Sequence, residues 1–137
     1  MKMEKPRIIE WLGIAGGLIW AVVILLRGLN LDGGHLYQFW LGTAPNIGAA
    51  WIMTMFGHWT AALVLKKKST LTTHAVICAG ILVLALVSEI LHDKFFNSPF
   101  DGHDILATVI AQSIMFGIVL LFPLTTEADK AAAETDK

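Results

Sequence analysis

The sequence predicts an all-α integral membrane protein, a four-helix bundle with both termini cytoplasmic. The first observation behind this is composition. Of 137 residues, 55% are hydrophobic, only 15% are charged, and mean hydropathy is +0.66. A chain this short has too little polar surface to cover so much apolar material in water. The second is length: four stretches each approach the ~20 apolar residues that a helix needs to cross a bilayer. The third is the uneven placement of Lys and Arg among the connections.

The first stretch covers 8–26 (IIEWLGIAGGLIWAVVILL). It follows a basic N-terminus but lacks a small-x-small cleavage site and runs into Arg27 rather than a mature domain, so it reads as a retained helix, not a signal peptide. Gly13 and Gly17, with Gly16 and Ala15 between them, have the spacing that lets helices approach closely, within the bundle or between copies in a homo-oligomer. The connection 27–45 is long for a bundle. Its His-Leu-Tyr-Gln-Phe-Trp core suits a short interfacial helix, with Trp40 an anchor at the headgroups. Pro45 fits the first turn of the second span, 46–65. The third span is 71–91 and the fourth 104–124. No stretch alternates with the period of two that a barrel strand requires. Residues 1–124 form one transmembrane domain, and 125–137 form a polar cytoplasmic tail.

With four spans, one face of the membrane receives Lys2, Lys5, Arg7, Lys66, Lys67, Lys68, Lys130 and Lys137, and the other only Arg27 and Lys94. The lysine-rich face is cytoplasmic, and Lys66-Lys67-Lys68 is placed to meet anionic lipid. The opposite face collects Asp32, His35, His92, Asp93, Asp101 and His103, with Asn46, Glu89 and Asp104 at the adjoining helix ends. A net charge of −1 leaves no basic surface for nucleic acid. A single cysteine, Cys78, excludes an internal disulfide and a CxxC zinc site and packs as a small hydrophobe. The histidines and acids would suit a divalent ion by type, but no metal-binding spacing is present, so neither metal nor cofactor is expected.

Glu89 and His92 lie three residues apart on one helix face, with Glu89 a turn from the outer end of its span. An ionisable residue in a span points to function, and an interfacial acid bonded to a neighbouring helix is the alternative. Asp101 as N-cap with Asp104 at the third helical position approaches a capping box. That spacing does not account for a third acid arriving from the preceding helix. Within the membrane, His58 needs a hydrogen-bond partner, with Thr54, Thr60 or the Gln112-Ser113 pair as candidates. It serves as interhelical glue or, with Gln112, as part of a proton or substrate path. His74 is expected at the cytoplasmic interface.

The segment SEILHDKFFNSPFDGHDILATVIAQ resembles the C-terminal signature of VanZ-like membrane proteins: a Glu near one helix end, a short outer loop, then Asp-x-x-Asp opening the last helix. Glu89, Asp101 and Asp104 match in type, as does the step of fifteen residues from Glu89 to Asp104. Phe100-Asp101 and Asp104-Ile105-Leu106 fit as well. Departures fall at His92, Ser98, Thr108 and Ala111, where the family carries Gln, Arg, Asn and Gly. The resemblance implies a multi-pass cell-envelope protein from a family associated with glycopeptide (teicoplanin) resistance. On that expectation the protein sits in the bacterial plasma membrane, contacts membrane lipid, and binds a lipid-linked or glycopeptide-type ligand at its outer face. Glu89, His92, Asp101, Asp104 and Asn46 are the ligand-binding candidates. The alternatives are a membrane enzyme using one carboxylate as base, and a small transporter or channel subunit using His58 and Gln112.

Overall fold

A computed structural model describes residues 8–64, 66 and 70–122. The tail 125–137 and the topology-setting Lys2, Lys5, Arg7, Lys67, Lys68, Lys130 and Lys137 lie outside the described residues. Four helices follow in order: α1 Ile8–Gly28, α2 Gly34–Leu63, α3 Leu71–Phe95 and α4 Gly102–Leu121. Three of them, α1, α3 and α4, are long and apolar enough to cross a membrane. The second helix carries Thr, His, Asn and Gln among its apolar residues. It is nevertheless the hub of the bundle, packing most extensively against α1 and also against α3 and α4, whereas α1 and α3 do not meet.

Polar residues of α2, α3 and α4 meet inside the bundle. Thr54, His58, His74, Thr108 and Gln112 are buried, while Leu25, Leu36, Val76, Leu84 and Leu121 are among many large apolar residues that face outward. In water this arrangement would expose oil and bury unpaired polarity. In hydrocarbon it leaves apolar side chains against lipid and satisfies the polar ones inside. Among the described residues, no buried side-chain nitrogen or oxygen lacks a hydrogen-bond partner.

The expected interfacial helix is not separate. Residues from Gly34 onward run continuously into the second span, and Pro45 lies inside α2 rather than in its first turn. A proline at that position has no N–H for the carbonyl of Leu41, four residues earlier. The Arg27 guanidinium donates to that carbonyl at 2.5 Å from the last turn of α1. The bond lost inside α2 is thus replaced from outside it, and the helix continues through the proline.

The small residues of α1 act within the bundle, at positions slightly different from those expected. A Cβ on Gly16 would stand 2.7 Å from the Gly48 carbonyl oxygen, and one on Gly48 would stand 2.6 Å from that of Gly16. Gly13 likewise lies against Met55, while Gly17 faces open space. The close contact therefore uses Gly13 and Gly16, three apart on one face. Above it pack Val23, Leu41 and Ala44; further along, Ala50, Ile81 and Ala111 join α2, α3 and α4.

Candidate functional site

The acids expected at the outer face come together where α3 hands over to α4. At the end of α3 the His92 carbonyl accepts both the Phe96 and Ser98 N–H groups, at 3.1 and 3.3 Å. Asn97 takes φ 51°, a left-handed conformation that Asn tolerates better than most residues. The chain thus reverses, passes Pro99 and reaches Asp101, the N-cap of α4. Asp101 Oδ1 accepts the His103 N–H at 2.8 Å and lies 3.0 Å from His103 Nδ1. The backbone N–H of His103, then its imidazole, hold the Asp101 carboxyl below the usual aspartate range.

Glu89 supplies the other half of this cap. Its Oε2 accepts the Asp101 N–H at 3.2 Å, the bond that the third residue of a helix makes in a capping box. Here it comes from the preceding helix. Asp104, in the position for that task, instead accepts a hydrogen bond from the Asn46 side chain of α2 and lies within electrostatic reach of Asp101, Glu89 and His103. Glu89, Asp101 and Asp104, with His92, Ser98, Pro99 and Phe100, line an open pocket of about 390 Å³. The five ligand-binding candidates are therefore brought to one place, four on the pocket wall and Asn46 beside Asp104. Ser98, Pro99 and Phe100 were not singled out in the sequence. Their signal was the short turn itself, which leaves little other chain to wall the site.

The pocket wall carries three carboxylates and neither Lys nor Arg. Among the described residues, no hydrogen bond engages Glu89 Oε1 or Asp101 Oδ2. The wall can therefore accept hydrogen bonds and balance positive charge. It cannot favour an anion. Among the described residues, no group of three or more His, Cys, Asp or Glu side chains is arranged to hold a metal ion.

His58 belongs to a separate buried cluster, toward the other end of α3. His58 Nε2 lies 3.0 Å from His74 Nδ1, and the rings stack with centroids 5.3 Å apart. His74 is fully buried between the helices, and it also stacks on Phe116 with ring centroids 5.5 Å apart. Its Nε2 is 3.6 Å from Cys78 Sγ. His74 is a partner of His58 that the sequence reading did not name. Gln112 bonds elsewhere: its amide donates to Thr54 Oγ1 at 3.1 Å and to the Ala50 carbonyl at 3.3 Å. Burial of His74 could have been read from its spacing. His74, Cys78 and Ile81, all buried, lie at i, i+4 and i+7 on one face of α3. Fifteen residues of α3 separate His74 from Glu89, about 22 Å along the axis, so the two groups do not form one site.

No protein family, curated protein or solved structure matches this chain.

Proposed function

We propose that the chain is a multi-pass membrane protein of the cell envelope, VanZ-like in type, whose outer-face pocket binds a ligand through a cationic amine. The observation that carries the reading is the convergence of Glu89, Asp101 and Asp104, from two helices and their connection, on one pocket without a cation in its wall. Three carboxylates on a wall without Lys or Arg attract a bound ammonium. The ligand classes expected from the resemblance fit this chemistry where they carry an amine, as a lipid with an ethanolamine head or an amine-bearing glycopeptide does. In this reading Glu89 and Asp104 meet the ammonium, Asn46 orients Asp104, and Phe100 packs beside the ligand's apolar part. Asp101 both faces the pocket and caps α4.

The reading places four spans in the plasma membrane, with the pocket on the outer side and the 66–70 connection inside. Its support is the bundle itself. At 30 residues α2 is about 45 Å long, more than a ~30 Å hydrocarbon core requires, and its Thr54 and His58 are buried among the other helices.

The test is binding to the purified protein in phosphatidylcholine nanodiscs, titrated with phosphatidylethanolamine and with its N-acylated form, which has lost the cation. Wild type should prefer the amine about tenfold or more, a difference of ~1.4 kcal/mol, and Glu89→Gln with Asp104→Asn should abolish the preference. Equal binding of the two lipids by wild type, or an unchanged preference in the double variant, would contradict it.

A further inference from the structure

A second cavity, of about 490 Å³, opens between α2 and α3 on the outside of the bundle. It is distinct from the acidic pocket and lies toward the other end of α3. Its lining is apolar apart from threonines, and those are gathered at one end: Thr60 on α2, with Thr72 and Thr73 in the first turn of α3. From Thr72 to Leu84 the groove follows α3 for about 18 Å, close to half of a ~30 Å hydrocarbon core. A Cβ on Gly57 would meet Ile77 at 2.7 Å, so the helices touch there. One on Gly80 would meet nothing within 4 Å. The missing side chain at Gly80 is part of what keeps the groove open.

The geometry points to this groove as a binding site for one acyl chain of an anionic phospholipid, with the phosphate at the threonine end. Length and lining fit a single chain from one leaflet. An empty groove in hydrocarbon forfeits dispersion contacts along both walls, and a flexible chain restores them. The charge follows from Lys66, exposed in the short connection that joins the threonine ends of the two helices; in sequence it opens the run Lys66-Lys67-Lys68. A second copy of this chain is the other occupant an apolar groove invites. Two copies inserted in the same direction and packed across this face would bring their basic connections together, and like charges would oppose the contact. An anionic headgroup at the same place is attracted instead.

The test is native mass spectrometry of the full chain released from nanodiscs containing equal phosphatidylglycerol and phosphatidylcholine. Wild type should retain phosphatidylglycerol in preference, and Lys66→Gln should reduce that preference about fivefold, the effect of one cation near the surface. Gly80→Leu should fill the groove, removing the retained lipid while leaving the thermal midpoint in detergent unchanged or higher, since Leu suits a helix better than Gly. Should that variant not fold, phosphatidylglycerol with a photoactivatable acyl chain can be crosslinked to wild type, and the label should fall on peptides of 53–61 and 72–84. Equal retention of both lipids, full retention in Gly80→Leu, label on other segments, or a dimer that Gly80→Leu dissociates would each overturn the proposal.

Discussion

Glu89 shows how one side chain can serve both the fold and a site. One oxygen completes the cap of α4 from the neighbouring helix, and the carboxylate also lines the acidic pocket. Removing the cap itself by Asp101→Ala should cost about 1 kcal/mol, read as a lower thermal midpoint in detergent. The Asp101 carboxyl is held below its ordinary range by the His103 N–H and imidazole. Its folded value lies under its unfolded one, so its stabilisation is complete above the ordinary range near pH 4 and fades as pH falls through the folded value. The midpoint difference between wild type and Asp101→Asn, followed from about pH 7 to about pH 3, should therefore shrink on the acid side. Within the core, Gln112→Leu should cost only about 0.6–1.7 kcal/mol in denaturant titration, because Thr54 keeps its bond to the Ala50 carbonyl at 2.8 Å. At this scale the sequence was partly legible. Acids at 89, 101 and 104 could be grouped because helix ends and spacing are local properties. The His58–His74 pair could not be assigned from local spacing, since it depends on which faces of α2 and α3 meet.

At the scale of the element, α2 is where local reading went furthest astray. Pro45 ordinarily marks a helix start, and the sequence reading ended one element and began another there. The continuous helix depends on Arg27, in a different helix, taking the Leu41 carbonyl. A double-mutant cycle tests this dependence. Arg27→Gln should destabilise the wild type but have a much smaller effect in a Pro45→Ala background, where a restored N–H can pair with the carbonyl. The coupling should be about 0.5–3 kcal/mol, and additive effects would show that the arginine acts elsewhere. The α1–α2 crossing makes a sharper contrast between similar residues. Gly48→Leu, whose Cβ would stand 2.6 Å from the Gly16 carbonyl oxygen, should cost about 1–3 kcal/mol through overpacking. Gly17→Ala meets nothing and should leave the thermal midpoint unchanged or raise it.

For the whole molecule, composition and span length led to the all-helical bundle, and hydropathy alone identifies three of its helices as able to cross a membrane. α2 falls outside that set because His35, Gln38, Asn46 and His58 interrupt its apolar run; of these His58 is buried against the neighbouring helices, whereas His35 and Gln38 are exposed. A measure summed along a helix cannot tell an inward polar stripe from an outward one. The account of the site rests on the resulting topology: α2 must cross the bilayer for the acidic pocket and the 66–70 connection to occupy the faces assigned to them.

Labelling with a membrane-impermeant maleimide tests that most directly, using single cysteines introduced in a Cys78→Ala background as Leu31→Cys, Lys66→Cys and Ser98→Cys. In intact cells the account predicts labelling at 31 and 98, with 66 reacting only after permeabilisation. Positions 31 and 66 reacting from the same side would show that α2 does not cross, and would contradict the four-span bundle on which the outer site depends.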